Sequence, residues 1–276
     1  MPDFDLNIIN SVIDSLPISK SPDLQGHVSD LQQVFSCIDN TTLSGTDSSE
    51  SVSQFCTNTR YLSLPNGQQV AAVCVYPVFV FQARKALQGS SIRVASVAGA
   101  FPHGQSPISI KVAEVQYAVD QGADEIDMVI SRGAFLQGNF AQVASEISAI
   151  RKAAANVTLK VILETAELES PSNIYQASLL ALESGADFIK TSTGKISVGA
   201  TPKAAYAMLS AIRDFSKNSS SLPGFKAAGG ISNPSDALIY FQLAKSMLGT
   251  QYSSNHYFRI GASRLTNRLL DFLTLQ

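Results

Sequence analysis

Gly122-Ala123-Asp124-Glu125-Ile126-Asp127-Met128-Val129-Ile130 and, further along, Gly185-Ala186-Asp187-Phe188-Ile189-Lys190 follow one plan. Each leaves an amphipathic helical stretch, turns through Gly-Ala-Asp and enters a short β-prone run. A charged residue falls at the same step of each, Asp127 in the first and Lys190 in the second. Period-two alternation puts Ile126, Met128 and Ile130 on one face and Asp127 on the other. Asp127 and Lys190 therefore point to the same side of a sheet. Strands that recur after helices in this way predict a parallel sheet.

Working outward, the same unit recurs. Helix Phe140 to Ala154 leads into strand Leu159 to Glu164, where Lys160, Ile162 and Glu164 alternate with Leu159, Val161 and Leu163. Upstream, Val70 to Val75 is a continuous apolar run bounded by Pro77, which suits a strand covered on both faces. Cys74 then points opposite to Val73 and Val75, toward the interior. Helix Phe79 to Leu87, strand Ile92 to Ala98, a loop over Gly99 to Gly104 and helix Ile108 to Gln121 follow. His103 reads as a polar loop residue. Thr201-Pro202 and Asn233-Pro234 each supply a cap and a first-turn proline for a helix. Gly224 to Gly230 forms a strand with a second inward lysine, Lys226, and Phe258 to Ser263 forms the last strand.

Strands near residues 37, 73, 95, 127, 161, 189, 226 and 260, each followed by a helical stretch, predict an α/β chain folded as a (β/α)8 TIM barrel. The alternative is an open doubly wound sheet, but no GxGxxG follows the first strand. Phe4 to Leu16 has helical spacing and Pro17 to Gly26 reads as a linker, so residues 1–30 form an N-terminal helical extension and 31–276 the barrel domain. A polar loop is expected over Ser216 to Gly224. Near the start of the barrel, Thr46 or Asp47 is expected to cap the helix over Asp47 to Leu62. That leaves Asp39 and Thr41, in Asp39-Asn40-Thr41-Thr42-Leu43, without a structural role.

With 276 residues, 45% of them hydrophobic and 15% charged, the chain can bury a large core. Its 20 basic and 22 acidic residues give a net charge of -2, which argues against a nucleic-acid or membrane surface while leaving room for a local anion site. Three cysteines, Cys37, Cys56 and Cys74, without CxxC spacing argue against a disulfide framework and fit a reducing cytoplasm. The acidic opening MPDFDLNIIN lacks a basic n-region, so no export is expected.

Convergence of the strand ends at one barrel mouth would gather Asp39, Cys74, Asp127, Lys190 and Lys226. A lysine buried among aliphatic residues, beside a second lysine, loses its proton readily and becomes a nucleophile at neutral pH. Asp127 is then placed to move protons, with Lys226 holding its charge. A buried ion pair is the structural alternative. Gly194, Gly229, Gly230 and Gly261 follow strands six to eight, where backbone N–H groups approach an anion. Ser263 stands at a helix start and Lys195 nearby. His27, His103 and His256 have no ligand spacing, so no metal is expected.

The motifs DNTTL (39–43), AAVCVYP (71–77), FPHG (101–104), GADEIDMV (122–129), LKVILET (159–165), GADFIKTSTGK (185–195), GFKAAGG (224–230) and RIGAS (259–263) together resemble the deoxyribose-phosphate aldolases, a class I family. The resemblance implies reversible, cofactor-free cleavage of 2-deoxy-D-ribose 5-phosphate to acetaldehyde and D-glyceraldehyde 3-phosphate. It implies Lys190 as the Schiff-base lysine and Asp127 with Lys226 as the proton relay. Asp39, Thr41, Cys74, Thr191 and Thr193 would lie at the substrate, and Gly194, Lys195, Gly229, Gly230, Gly261 and Ser263 at its phosphate. It also implies a homodimer. Arg264 stands where the family often has a second serine, and Ala227 replaces a frequent proline. Leu273-Thr274-Leu275-Gln276 offers no C-terminal tyrosine. Another Schiff-base aldolase or a transaldolase, and a binding scaffold without chemistry, remain the alternatives.

Overall fold

In a computed structural model, residues 4–219 and 221–274 are described; residues 1–3, residue 220 in the polar loop and the final Leu275-Gln276 lie outside them. Helices α1 (Leu6–Asp14), α2 (Pro17–Lys20) and α3 (Val28–Ser36) lead into β1 (Ile38–Thr41). The chain continues as α4 (Ser49–Tyr61), β2 (Ala72–Val75), α5 (Val80–Ala86), β3 (Arg93–Ala98) and α6 (Ile108–Asp120). Then come β4 (Glu125–Val129), α7 (Arg132–Leu136), α8 (Phe140–Ala154), β5 (Thr158–Ile162) and α9 (Pro171–Glu183). The last units are β6 (Phe188–Lys190), α10 (Pro202–Ser216), β7 (Gly224–Ala228), α11 (Pro234–Leu248), β8 (Phe258–Ala262) and α12 (Leu265–Thr274).

All eight strands are parallel and pair in chain order, and β8 closes on β1 through Asp39 opposite Gly261. The expected barrel is what forms. Its registers follow the alternation: Asp127 lies opposite Lys160, and Lys190 opposite Lys226, so their side chains share the inner face. Outward-pointing Ile126, Met128, Val161 and Ile189 join the belt between strands and helices. There Phe258 meets Phe241 of α11 edge-on at 5.5 Å. Each such fully buried side chain is worth about 1.5–3 kcal/mol of burial free energy, and this belt supplies most of the fold's cohesion.

A capping residue followed by proline sets three of the helix starts. Ser170, Thr201 and Asn233 each cap a helix by accepting a backbone N–H, and a proline occupies the next position in each case. Two expectations need correction. The cap of α4 is Ser48, in a reciprocal box with Ser51, because Asp47 is occupied accepting from the Thr42 hydroxyl (2.9 Å) and the Ser44 N–H (3.0 Å). Part of the expected linker is helical. Pro17 starts α2, Ile18 is buried, and its N–H donates to Gln242 of α11 at 2.9 Å, so packing organises a segment whose composition reads as a loop. Before it, α1 buries Ile9, and Phe4 packs its ring 5.6 Å from Tyr175.

Candidate active site

Inside the barrel the two halves differ. Ala72 and Cys74 of β2, with Ala95 and Val97 of β3, form a small apolar cluster closed by Leu43, Tyr76 and Phe101. Asp39 of β1 and the strands from β4 to β8 carry charge: Asp39, Glu125, Asp127, Lys160, Lys190, Lys226 and Arg259 are all buried. Asp127 is the hub. Its Oδ1 accepts from Lys160 at 2.7 Å, and its Oδ2 accepts from Lys190 at 2.8 Å and from Lys226 at 2.7 Å. Lys226 also donates to Asp39, whose other oxygen accepts from Arg259 at 2.6 Å. Arg259 reaches on to Glu125 at 2.8 Å, and Lys160 meets Glu125 at 2.5 Å.

Charge counting separates the lysines. The three carboxylates, Asp39, Glu125 and Asp127, are matched one for one by Lys160, Lys226 and Arg259, and Lys190 is the surplus amine. A surplus cation in a dry interior carries an uncompensated desolvation cost, so it is the group that gives up its proton. The pKa directions agree. Burial lowers that of Lys190, the Lys226 charge lowers it further, and Asp127 opposes both without reversing the sign. Burial lowers that of Lys226 as well, but Asp127 and Asp39 outweigh it and hold this lysine above the ordinary range. Burial pushes the Asp127 carboxyl up, yet the ammonium groups around it keep it well below the usual carboxylate range. Cys74 is pushed up by burial and by Asp127, which makes it a thiol.

Lys190 opens onto a cavity of about 380 Å³ at the C-terminal mouth. Thr41, Thr193, Gly194, Lys195, Gly229, Gly230, Gly261 and Ser263 line it with Lys190, so the structure brings nine of the sequence-derived candidates to one surface. Asp39, Cys74, Asp127 and Lys226 are fully buried and are not part of that lining. Thr191 is placed differently. Its hydroxyl donates to the Ala228 carbonyl and accepts from the Ala228 N–H, both at 2.9 Å, so it ties β6 to β7. Gly261 also serves beneath the cavity, since a Cβ there would come within 3.1 Å of the Lys226 Cε.

Arg264, noted in the sequence as a departure from the family, and three residues that sequence reading missed complete the rim. Thr42, Ser44, Ser232 and Arg264 line the cavity, and no carboxylate among the described residues does so. Lys195 donates to the Leu43 carbonyl and stands 6.0 Å over the Tyr76 ring. Glu164, expected as an inward strand residue, instead adopts left-handed backbone (φ 56°) beyond the end of β5. It accepts from the Thr193 N–H at 3.2 Å and from the Thr193 hydroxyl, and thereby fixes the loop that carries Gly194 and Lys195. Glu125 and Arg259 were invisible as a pair because each reads alone as an ordinary strand residue.

The fold is thus a closed parallel (β/α)8 barrel whose mouth holds a buried amine, Lys190. The profile of the DeoC/LacD family aldolases matches residues 34–264, and the chain belongs to that family. It is an aldolase, a carbon–carbon lyase. A deoxyribose-phosphate aldolase of Homo sapiens is 45% identical over 240 residues, which cover 83% of this chain and 76% of that one. One of Agrobacterium fabrum is 47% identical over 205 residues, covering 74% and 77%. The barrel of the Aeropyrum pernix deoxyribose phosphate aldolase, described as a unique tetramer, matches in fold with TM-score 0.71 at 24% identity, over 93% of this chain and 99% of that one.

Proposed function

We propose that the chain reversibly cleaves 2-deoxy-D-ribose 5-phosphate to acetaldehyde and D-glyceraldehyde 3-phosphate through a Schiff base on Lys190. The observation that carries this reading is the surplus buried amine, 2.8 Å from Asp127 and opening onto a cavity whose lining, among the described residues, has cations but no carboxylate. Neutral Nζ of Lys190 adds to the C1 aldehyde, and loss of water gives a protonated imine. That imine draws electrons from the C2–C3 bond. Removal of the C3 hydroxyl proton breaks the bond, releasing the three-carbon aldehyde phosphate and leaving an enamine on Lys190. A proton returns to C2, and water at C1 then frees acetaldehyde and the amine.

Asp127 is too weak a base to act alone, because its ion pairs stabilise the carboxylate. Its role is to accept from both lysines and to orient a water that carries protons, while Lys226 keeps its charge beside the reacting nitrogen. Leu43, which lines the cavity and packs on the apolar cluster around Cys74, offers the two-carbon fragment an apolar contact. Gly194, Gly229 and Gly230, all at positive φ, turn their loops toward the same cavity. With Lys195, Ser263 and the N-terminal end of α12 they suit the phosphate.

Incubation with deoxyribose 5-phosphate and borohydride, followed by mass spectrometry, tests the reading. One reduced adduct at Lys190 is expected, and none in a folded Lys190→Ala variant. A label on another residue overturns the assignment, and absence of any label points to a scaffold without chemistry.

A further inference from the structure

The charged groups inside the barrel form one unbroken chain from its N-terminal end to the reacting amine. Arg93 of β3, partly exposed, donates to Glu125 at 3.1 Å. Glu125 bonds Arg259 and Lys160, Lys160 bonds Asp127, and Asp127 bonds Lys190. A parallel branch runs from Arg259 through Asp39 and Lys226 to the same Asp127 oxygen that receives Lys190. Glu125 and Arg259 touch neither Lys190 nor the cavity, and both are fully buried. An ion pair at the barrel floor stabilises a fold weakly, because desolvation offsets most of its attraction. Its charges nonetheless act on every other group in the same low-dielectric interior.

We infer that Glu125 and Arg259 are positioning residues that set, from the far end of the barrel, the pH at which Lys190 becomes a free amine. This rests on the reading of Lys190 as the nucleophile. Lys190 is faced by the Cys74 thiol from β2, Asp127 from β4 and Lys226 from β7, and Asp127 and Lys226 are held in turn by Lys160 from β5 and Asp39 from β1. No exposed charge sits among them, so the balance is fixed by buried groups whose partners are Glu125 and Arg259. The sign follows from the count. Removing the Glu125 charge leaves Lys160 and Arg259 to share Asp39 and Asp127, an excess of positive charge that disfavours ammonium at Lys190. Removing the Arg259 charge frees negative charge on Asp39 and Glu125 and favours it.

The test is the pH dependence of reductive alkylation at Lys190 by acetaldehyde and cyanoborohydride, read by peptide mass spectrometry in wild type and variants. In Glu125→Gln the midpoint is expected to fall by about half to one pH unit, and in Arg259→Gln to rise by a similar amount. Glu125→Asp and Arg259→Lys, which keep the charges, should return it to the wild-type value. Arg93→Gln, at the solvent-facing end where folding is not at risk, should raise it by a few tenths because it unmasks Glu125. Midpoints that stay together in all variants, or that move in one direction for both signs of charge change, overturn the inference. If wild-type Lys190 is not alkylated at any pH, it is the Schiff-base reading that fails instead.

Discussion

The two faces of β4 occupy one strand and obey opposite rules. Ile126 and Met128 point outward into a mostly apolar belt, where neighbours are exchangeable as long as volume is kept. Glu125 and Asp127, one step away, point inward to partners at 2.5–2.8 Å whose identity and charge both matter. The outer face stabilises by area. The inner face contributes little net stability, since desolvation of seven charged groups consumes the attraction among them. It holds instead a particular protonation state, in which one amine of four cations lacks a carboxylate of its own. Substitutions on the outer face should therefore change stability without changing the pH profile, and substitutions on the inner face should change the profile.

The largest break is Lys190→Ala. Aldol cleavage should drop on the order of 10⁴-fold or more while circular dichroism and melting stay near wild type, since the lost group is a surplus charge rather than a packed partner. A loss of less than tenfold would remove Lys190 from the chemistry. Next comes Lys226→Leu. It leaves Asp39 and Asp127 short of a cation, at about 3–5 kcal/mol in urea unfolding. Because the Lys226 charge helps depress the Lys190 pKa, its removal raises that pKa, shrinks the free-amine fraction at a given pH and moves the acid limb of kcat/KM upward by about one pH unit. An unmoved limb would contradict the charge count.

Ile126→Val sharpens the comparison from the other face. It should cost about 1 kcal/mol of unfolding free energy and leave the pH limb where it was, although it adjoins Asp127. The smallest effect is expected at the rim. Arg264 lines the cavity and makes no ion pair among the described residues. Arg264→Ser should raise KM for the phosphorylated substrate a few-fold, less so at high salt, and leave turnover of unphosphorylated deoxyribose unchanged. Equal losses on both substrates would place Arg264 in folding rather than in phosphate selection.

Much of this is written in local patterns. The inward positions of Asp127, Lys160, Lys190 and Lys226 follow from period-two alternation, and the starts of α10 and α11 from a capping residue followed by proline. Other features resist such reading. Thr191 sits in the same hydroxyl-rich turn as Thr193, yet only Thr193 lines the cavity, because β7 happens to present the Ala228 backbone to its neighbour. Pro17 to Lys20 has the composition of a linker and becomes helical through burial of Ile18 against α11. Glu164 lies two residues past its strand, and the left-handed turn that redirects it to Thr193 has no glycine to announce it.

By itself, the sequence determined the alternating strands and helices, the face on which each charge lies and the set of groups available for chemistry, because these depend on backbone periods of a few residues. Only the tertiary structure decided which carboxylate neutralises which cation and that Lys190 is left over. Lys160 meets Glu125 across neighbouring strands. The pairings of Lys226 and Arg259 with Asp39, and of Arg259 with Glu125, join β1 to β7 and β8 and β4 to β8, strands far apart along the chain that meet only because the sheet closes on itself.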